Sequence, residues 1–134
     1  MTNEKLLEKA TKAMKHSYSP YSKFSVGAAL LTANGNVYTG FNIENSSYSA
    51  TVCAERTAIF SALLNGEKEF LKLAVVGSCS EEIKNFCYPC GVCRQVLSEF
   101  CSASLEIILF NGKEIKQTTL GELLPLSFGR DNLC

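Results

Sequence analysis

The sequence predicts an α/β fold, a three-layer α/β/α sandwich built on a five-stranded mixed sheet. Segments with apolar residues at helical spacing alternate with short strand-like segments, in the order α-β-β-α-β-α-β-β-α. Two Asn-Gly pairs, Asn34-Gly35 and Asn111-Gly112, predict hairpins between antiparallel strands. The helices that precede the third and fourth strands predict parallel crossover connections.

The first half of the chain supplies a helix, a break and a hairpin. Apolar residues recur at helical spacing between Leu6 and Met14, and Asn3 is the predicted N-cap. The segment 17–22 contains Pro20 and ends this helix. The two strands that flank the first Asn-Gly pair are predicted at Ser25–Thr32 and Val37–Glu44.

The second half supplies three helices and three strands. A helix over Thr51–Asn65 is predicted to end at Gly66, a residue type common just after helices. Pro89 is predicted to open the next helix, which runs to about Phe100, and Thr119 with Glu122 matches a capping box for a last short helix. The predicted strands are Leu71–Gly77, Leu105–Phe110 and Glu114–Thr118.

Composition narrows the functional classes. The 134 residues carry no internal repeat or linker, which predicts one domain over residues 1–134. Thirteen Lys and Arg balance thirteen Asp and Glu, so the chain lacks the basic excess that nucleic-acid binding requires. The apolar runs are of strand length and no signal peptide precedes them, so we expect a soluble, cytoplasmic protein without a membrane partner.

Sulfur is the expected metal ligand in this chain. His16 is the only histidine and lies near the C-terminal end of the first predicted helix, where a helix-terminal cation or a solvated side chain is expected. A Ser-His-Asp or Cys-His hydrolase is therefore disfavoured. Seven cysteines in a reducing compartment do not predict a disulfide framework, and an odd number cannot pair completely. Of these seven, Cys79, Cys101 and Cys134 are expected to be packing or surface thiols.

Three of the cysteines have the pattern of a catalytic zinc site. Cys53 and Cys90 stand where helices are predicted to begin, and such positions stabilise thiolates. Cys90 and Cys93 are three residues apart, about one helical turn, so both can face one ion. With Cys53 they make three protein ligands, the number that leaves a fourth position on zinc for water.

Glu55 adds a reactive group to this site. A carboxylate beside the metal can take a proton from water and deliver it to a substrate. In a regular helix Cys53 and Glu55 project roughly 200° apart. Both can therefore reach one zinc ion only if Cys53 lies at the edge of the helix.

Cys53-Ala54-Glu55, followed downstream by Pro89-Cys90-Gly91-Val92-Cys93, resembles the zinc-dependent cytidine deaminases over nearly the whole chain. A cysteine as the first ligand is similar to the small, homotetrameric type. The resemblance implies one Zn²⁺ per chain and hydrolytic deamination of cytidine and 2′-deoxycytidine to uridine and 2′-deoxyuridine, with release of ammonia. It also implies that Glu55 moves a proton from water to N3 of the base and that the hydroxide attacks C4.

The same resemblance implies roles for residues around the metal. Segments 21–29 and 42–45 resemble the nucleoside-binding segments of that family, with Asn42 and Glu44 on the ribose 3′-hydroxyl and Phe24 against the pyrimidine ring. Ala54 is implied to contact substrate, and Phe128 to reach a neighbouring subunit's active site. Arg130 stands near Phe128 where proline is common in the family. Arg56 is implied to bond the ligand sulfurs and so to offset their negative charge.

Other interpretations compete with this one. Cys87 could join Cys53, Cys90 and Cys93 in a closed structural zinc site, although Tyr88 precedes a proline and should be extended, which carries Cys87 away. A thiol oxidoreductase using Cys90 and Cys93 would need no metal and would leave Glu55 unused. Blasticidin-type deaminases share the three cysteines, but Asn42-Ile43-Glu44 fits the ribonucleoside enzymes better. A nucleic-acid editor is disfavoured by the balanced charge.

Overall fold

The computed structural model describes residues 1–134 and contains the nine predicted helices and strands in the predicted order. The helices are α1 Asn3–Met14, α2 Ala54–Leu64, α3 Gly91–Phe100 and α4 Leu120–Leu123. The strands are β1 Ser25–Thr32, β2 Val37–Phe41, β3 Phe70–Ser78, β4 Glu106–Phe110 and β5 Ile115–Thr119. None of the helices has both the length and the apolar character that a bilayer span requires.

The five strands form one mixed sheet in the order β2-β1-β3-β4-β5. Both predicted hairpins are present as antiparallel pairs, β1 with β2 and β4 with β5. β3 and β4 pair in parallel, and β1 and β3 pair antiparallel at the centre of the sheet. Because β2 and β3 both run antiparallel to β1, they are parallel to each other, which confirms the crossover connections predicted through α2 and α3.

Two apolar clusters, one on each face, make this sheet the middle of three layers. Alternate residues of a strand point to opposite faces. Ala28 and Leu30 of β1 therefore belong to the cluster that contains α2, α3 and α4, whereas Ala29 and Leu31 belong to the cluster that contains α1. The predicted α/β/α sandwich is thus confirmed, with α1 alone on one face.

Several predicted boundaries differ from those observed. Thr2, not Asn3, caps α1, since its hydroxyl accepts a hydrogen bond from the backbone N–H of Lys5. β2 ends at Phe41 rather than at Glu44. The helix predicted from Thr51 begins only at Ala54, and Pro89 lies before α3 because Cys90 is its N-cap. The last two shifts bear on the site, because they place both cysteines at helix edges.

Candidate active site

The N-termini of α2 and α3 meet, and each is capped by a cysteine. Cys53 and Cys90 both have extended backbone conformations, with ψ of 158° and 166°, and stand just outside their helices. The backbone N–H of Cys93 points to the Cys90 sulfur at 3.4 Å. Unpaired N–H groups and the positive ends of two helix dipoles therefore surround the sulfur atoms, which favours thiolates.

The sulfur atoms of Cys53, Cys90 and Cys93 all lie within 4.8 Å of one another. The Cys53–Cys90 separation is 3.7 Å and the Cys90–Cys93 separation is 3.4 Å. Tetrahedral zinc with Zn–S bonds of about 2.3 Å holds its sulfur ligands roughly 3.8 Å apart. The three thiols therefore fit a zinc ion. Cys87 is not a member of this group, so the closed four-cysteine site is not formed.

One of these cysteines is charged even in the metal-free chain. The hydrogen bond from the Cys93 thiol, aided by Arg56, lowers the pKa of Cys53 to about 5. Cys93 holds the shared proton, and its pKa is raised by that hydrogen bond and by burial. A divalent cation bound by all three sulfur atoms would meet the Cys53 thiolate and displace the protons of the other two thiols.

Arg56 provides positive charge beside the sulfur cluster. Its Nη2 lies 3.5 Å from the Cys53 sulfur and 3.4 Å from the Thr51 carbonyl oxygen. Its Nε–H is buried and has no hydrogen-bond acceptor, so the guanidinium keeps an unused donor next to the site. Three thiolates on one divalent ion leave a net negative charge, which this guanidinium opposes.

Glu55 is the buried acid of the site. It is only 3 % exposed and lies two residues after Cys53, in the first turn of α2. Burial raises the pKa of Glu55 to about 7, so this carboxyl group can accept and release a proton near neutral pH. Cys53 precedes the helix that carries Glu55, which removes the angular conflict that a regular helix would impose.

A close approach of α2 to β2 fixes the position of this helix. A Cβ on Gly40 would collide with the Ala54 carbonyl oxygen and with the start of α2. The Thr57 hydroxyl accepts from the Phe41 N–H at 3.1 Å and donates to the Phe41 carbonyl at 3.0 Å. Gly40 thus lets the helix that carries Glu55 rest directly on the sheet.

Asn42 holds together the segment around Phe24. It is 7 % exposed, and its Oδ1 accepts hydrogen bonds from the Ser17 hydroxyl and from the Val26 N–H, the latter at 2.9 Å. Its Nδ2 donates to the Phe24 carbonyl at 2.8 Å. One amide hydrogen of Asn42 has no protein partner. The contribution of Ser17 was not predicted, because no local motif links residues so far apart.

Glu44 anchors the loop that precedes Phe24. Its Oε1 accepts from the backbone N–H groups of Tyr21 and Ser22, at 2.9 and 3.1 Å, and its Oε2 accepts from the Ser22 hydroxyl. The Ser22 hydroxyl bond lowers the pKa of the Glu44 carboxyl group, which keeps it ionised. Ile43 pairs with Val52 through both backbone groups, which brings this segment beside Cys53.

An open cavity of about 280 Å³ adjoins Glu44. Tyr21 and Ser22 line it on one side and Thr51, two residues before Cys53, lines it on another. The cavity thus lies between residues of the two nucleoside-binding segments predicted from the sequence and the segment that precedes α2.

The remaining predicted residues occupy different surroundings. The Phe24 ring and the Cys87 sulfur both lie against Gly77 of β3, and Ala54 is fully buried. Phe128 is 60 % exposed, and its carbonyl accepts a hydrogen bond from Gln95 at 2.9 Å.

Arg94 was not predicted to contribute, although it directly follows Cys93 in the sequence. Its guanidinium donates to the Pro89 carbonyl at 2.7 Å and to the Leu123 carbonyl at 2.8 Å. It therefore ties the segment before Cys90 to α4.

Comparisons with known proteins agree with this geometry. The chain is 48 % identical over 134 residues to the cytidine deaminase of Sporosarcina psychrophila, covering 99 % of this chain and 96 % of that one. It is 42 % identical to the cytidine deaminase of Halalkalibacterium halodurans, with 99 % and 98 % covered. The crystal structure of the Burkholderia pseudomallei cytidine deaminase superposes with a TM-score of 0.88 at 46 % identity, covering 96 % of this chain and all of that one.

The family model for the cytidine and deoxycytidylate deaminase zinc-binding region matches residues 1–108, which include every residue of the sulfur cluster together with Glu55 and Arg56. The match thus spans most of the sheet and both capping cysteines. The chain belongs to the cytidine and deoxycytidylate deaminase family of zinc-binding proteins.

Proposed function

We propose that this chain is a cytidine deaminase that converts cytidine and 2′-deoxycytidine, with water, into uridine or 2′-deoxyuridine and ammonia. The observation that carries the proposal is the buried Glu55 carboxyl group at the start of α2, beside three convergent sulfur atoms. A structural zinc site needs no such acid. The whole chain, residues 1–134, acts as one catalytic domain.

Cys53, Cys90 and Cys93 hold the zinc ion. Zinc bound by three protein ligands retains a fourth position for water and makes that water a nucleophile near neutral pH. Glu55 accepts a proton from the attacking water and delivers it to N3 of the pyrimidine, which makes C4 more electrophilic. Once the C–O bond has formed, Glu55 accepts the proton of the new C4 hydroxyl and delivers it to the amine. The C4–N bond then breaks with its electron pair to nitrogen, which releases ammonia and leaves a carbonyl at C4.

Arg56 tunes the sulfur ligands in this proposal. Its guanidinium lies 3.5 Å from the Cys53 sulfur and withdraws negative charge from it. Three thiolate ligands weaken the Lewis acidity of a bound metal ion. A ligand set with less negative charge would preserve more of that acidity.

Phe24, Asn42, Glu44 and Ala54 bind the nucleoside in this proposal. The free amide hydrogen of Asn42 and the ionised Glu44 carboxylate suit the ribose 3′-hydroxyl, which can accept one hydrogen bond and donate another. Phe24 provides an apolar surface for the pyrimidine ring.

The test is an assay of purified, zinc-loaded protein with cytidine, in which ammonia release, loss of cytidine absorbance and zinc content are measured together. The proposal expects one zinc per chain and stoichiometric formation of uridine and ammonia. Blasticidin S, assayed in parallel, is expected to react much more slowly. Absence of cytidine turnover from zinc-loaded protein would contradict the proposal and favour a purely structural zinc site.

We also propose that the active enzyme is a homotetramer in the reducing cytoplasm, with Phe128 of each chain reaching a neighbour's active site. In support, the Phe128 ring is exposed, and apolar Phe60 and Leu64 of α2 are exposed as well. Light scattering should give the mass of four chains. Inactive Glu55→Ala protein mixed with weak Phe128→Ala protein should regain activity, since the hybrid contains intact pairs. No gain after verified subunit exchange would contradict the role of Phe128.

A further inference from the structure

The segment that delivers Cys90 to the metal site has no regular structure of its own. Residues 79–90, here called the ligand loop, join β3 to α3 without a helix or a strand. Cys90 ends this loop and is the exposed member of the sulfur cluster, whereas Cys93 is buried within α3. The position of the Cys90 sulfur therefore depends on α3, which Cys90 caps, and on contacts that fix the loop from outside.

Lys116 makes such contacts from the edge strand β5. Its ammonium group lies 4.3 Å from the centroid of the Phe86 ring and 5.3 Å from that of Tyr88. It also donates a hydrogen bond to the Tyr88 hydroxyl at 2.8 Å. An ammonium group over two aromatic faces is attracted by both rings, and the hydrogen bond gives the contact a defined direction.

The same hairpin supports the ligand loop at a second point. Gly112, in the turn between β4 and β5, has a φ of 93°, and a Cβ there would collide with the Ile83 carbonyl oxygen. The β4–β5 hairpin thus touches the loop near its middle at Ile83 and again near its end at Phe86 and Tyr88. The contact at Tyr88 has the greater influence on the metal site, because only Pro89 separates Tyr88 from Cys90.

We propose that Lys116 is a positioning residue for the metal site, which holds Tyr88 and, through Pro89, sets the position of the Cys90 sulfur. Because Pro89 has a fixed backbone φ angle, the segment between Tyr88 and Cys90 is stiff, and a displacement of Tyr88 also displaces Cys90. Arg94 holds the Pro89 carbonyl from the helix side at 2.7 Å, and Lys116 holds Tyr88 from the sheet side. This inference rests on the zinc site proposed above.

The experiment compares the rate at which zinc passes from the folded protein to a chromogenic chelator at a temperature well below unfolding. Lys116→Met keeps the apolar stem but removes the charge and the donor. Lys113→Met is the matched control, because Lys113 is an exposed lysine of the same hairpin whose side chain makes no hydrogen bond or ion pair. Lys116→Arg keeps a cation over the rings, and Tyr88→Phe keeps the ring but loses the hydroxyl.

Lys116→Met is expected to release zinc about three- to tenfold faster than wild type, with a smaller increase for Tyr88→Phe. Lys116→Arg and Lys113→Met are expected to stay within about twofold of wild type. A lower melting temperature for Lys116→Met with unchanged zinc release would overturn the inference, since it indicates only a structural role. If wild type deaminates cytidine but Lys116→Met releases zinc at the wild-type rate, only the inference about Lys116 is refuted. If wild type binds no zinc, the proposed function is refuted as well.

Discussion

Asn42 is the residue whose replacement most sharply tests the architecture of the proposed nucleoside-binding side. Asn42→Ala removes an acceptor for the Val26 N–H and a donor for the Phe24 carbonyl, which lie 2.9 and 2.8 Å from it. Because Asn42 is only 7 % exposed, water cannot readily replace the lost bonds. Each buried backbone group left without a partner costs about 1–3 kcal/mol, and we expect a total loss of about 3 kcal/mol in the free energy of unfolding.

Urea unfolding of the zinc-loaded proteins measures this loss. Ser17→Ala removes only one of the two hydrogen bonds to Oδ1 and should cost about 1 kcal/mol. Asn45→Ala is the control, because Asn45 is an exposed asparagine whose side chain accepts one local hydrogen bond from the Ser47 N–H. A loss below about 1 kcal/mol for Asn42→Ala would refute the reasoning, since it would mean that the amide does not support Phe24 and Val26.

The same variant separates support of the fold from contact with the ribose. If the free amide hydrogen of Asn42 meets the 3′-hydroxyl, wild type should favour cytidine over 3′-deoxycytidine, and Asn42→Ala should reduce that preference. If Asn42 only supports Phe24, the KM values for both substrates should rise together. The ratio of kcat/KM for the two substrates distinguishes these outcomes.

Three further predictions concern charge and sulfur. Arg56→Ala should lower kcat/KM about tenfold or more with little loss of folding stability, and activity equal to wild type at equal zinc content would contradict its tuning of Cys53. Cys87→Ser should retain zinc and activity, and loss of zinc would revive the four-cysteine site. Glu67 is buried, and hydrogen bonds, the largest from Asn36, lower the pKa of its carboxyl group. The ionised Glu67 carboxylate therefore stabilises the fold fully above its ordinary pKa of about 4.3, and this stabilisation is lost as the pH falls through the lower pKa of the folded state. Urea unfolding should find Glu67→Gln less stable than wild type near neutral pH and closer to wild type in acid. A difference that does not shrink in acid would contradict this assignment.

Local chemistry accounts for the parts of the fold that could be predicted. Gly35, Gly66 and Gly112 all have positive φ values, between 83° and 93°, as the Asn-Gly turns and the helix end require. The cysteine motifs were equally informative, because their spacing along two predicted helix starts limits where the sulfur atoms can lie. The three sulfur atoms indeed converge in the structure.

Features that depend on residues far apart in the sequence could not be predicted from local sequence patterns. The antiparallel pairing of β1 with β3 joins strands that are not consecutive, and no turn motif between them specifies it. Adjacent Thr2 and Asn3 are both good capping residues, so local preference could not choose between them. Lys116 and Tyr88 are 28 positions apart in the sequence, so their contact becomes visible only when the hairpin is placed beside the ligand loop.

Glu55 is the residue on which the proposed chemistry depends, and its replacement gives the most direct test. Zinc content and cytidine turnover should be measured on the same preparations of wild type and Glu55→Ala. Both proteins are expected to hold one zinc per chain, because Glu55 is not one of the three ligands. Turnover by the variant should fall by about 10³-fold, the order of magnitude for loss of a general acid–base group. Zinc-loaded Glu55→Ala protein that deaminates cytidine within tenfold of the wild-type rate would contradict the assignment of Glu55 as the proton carrier.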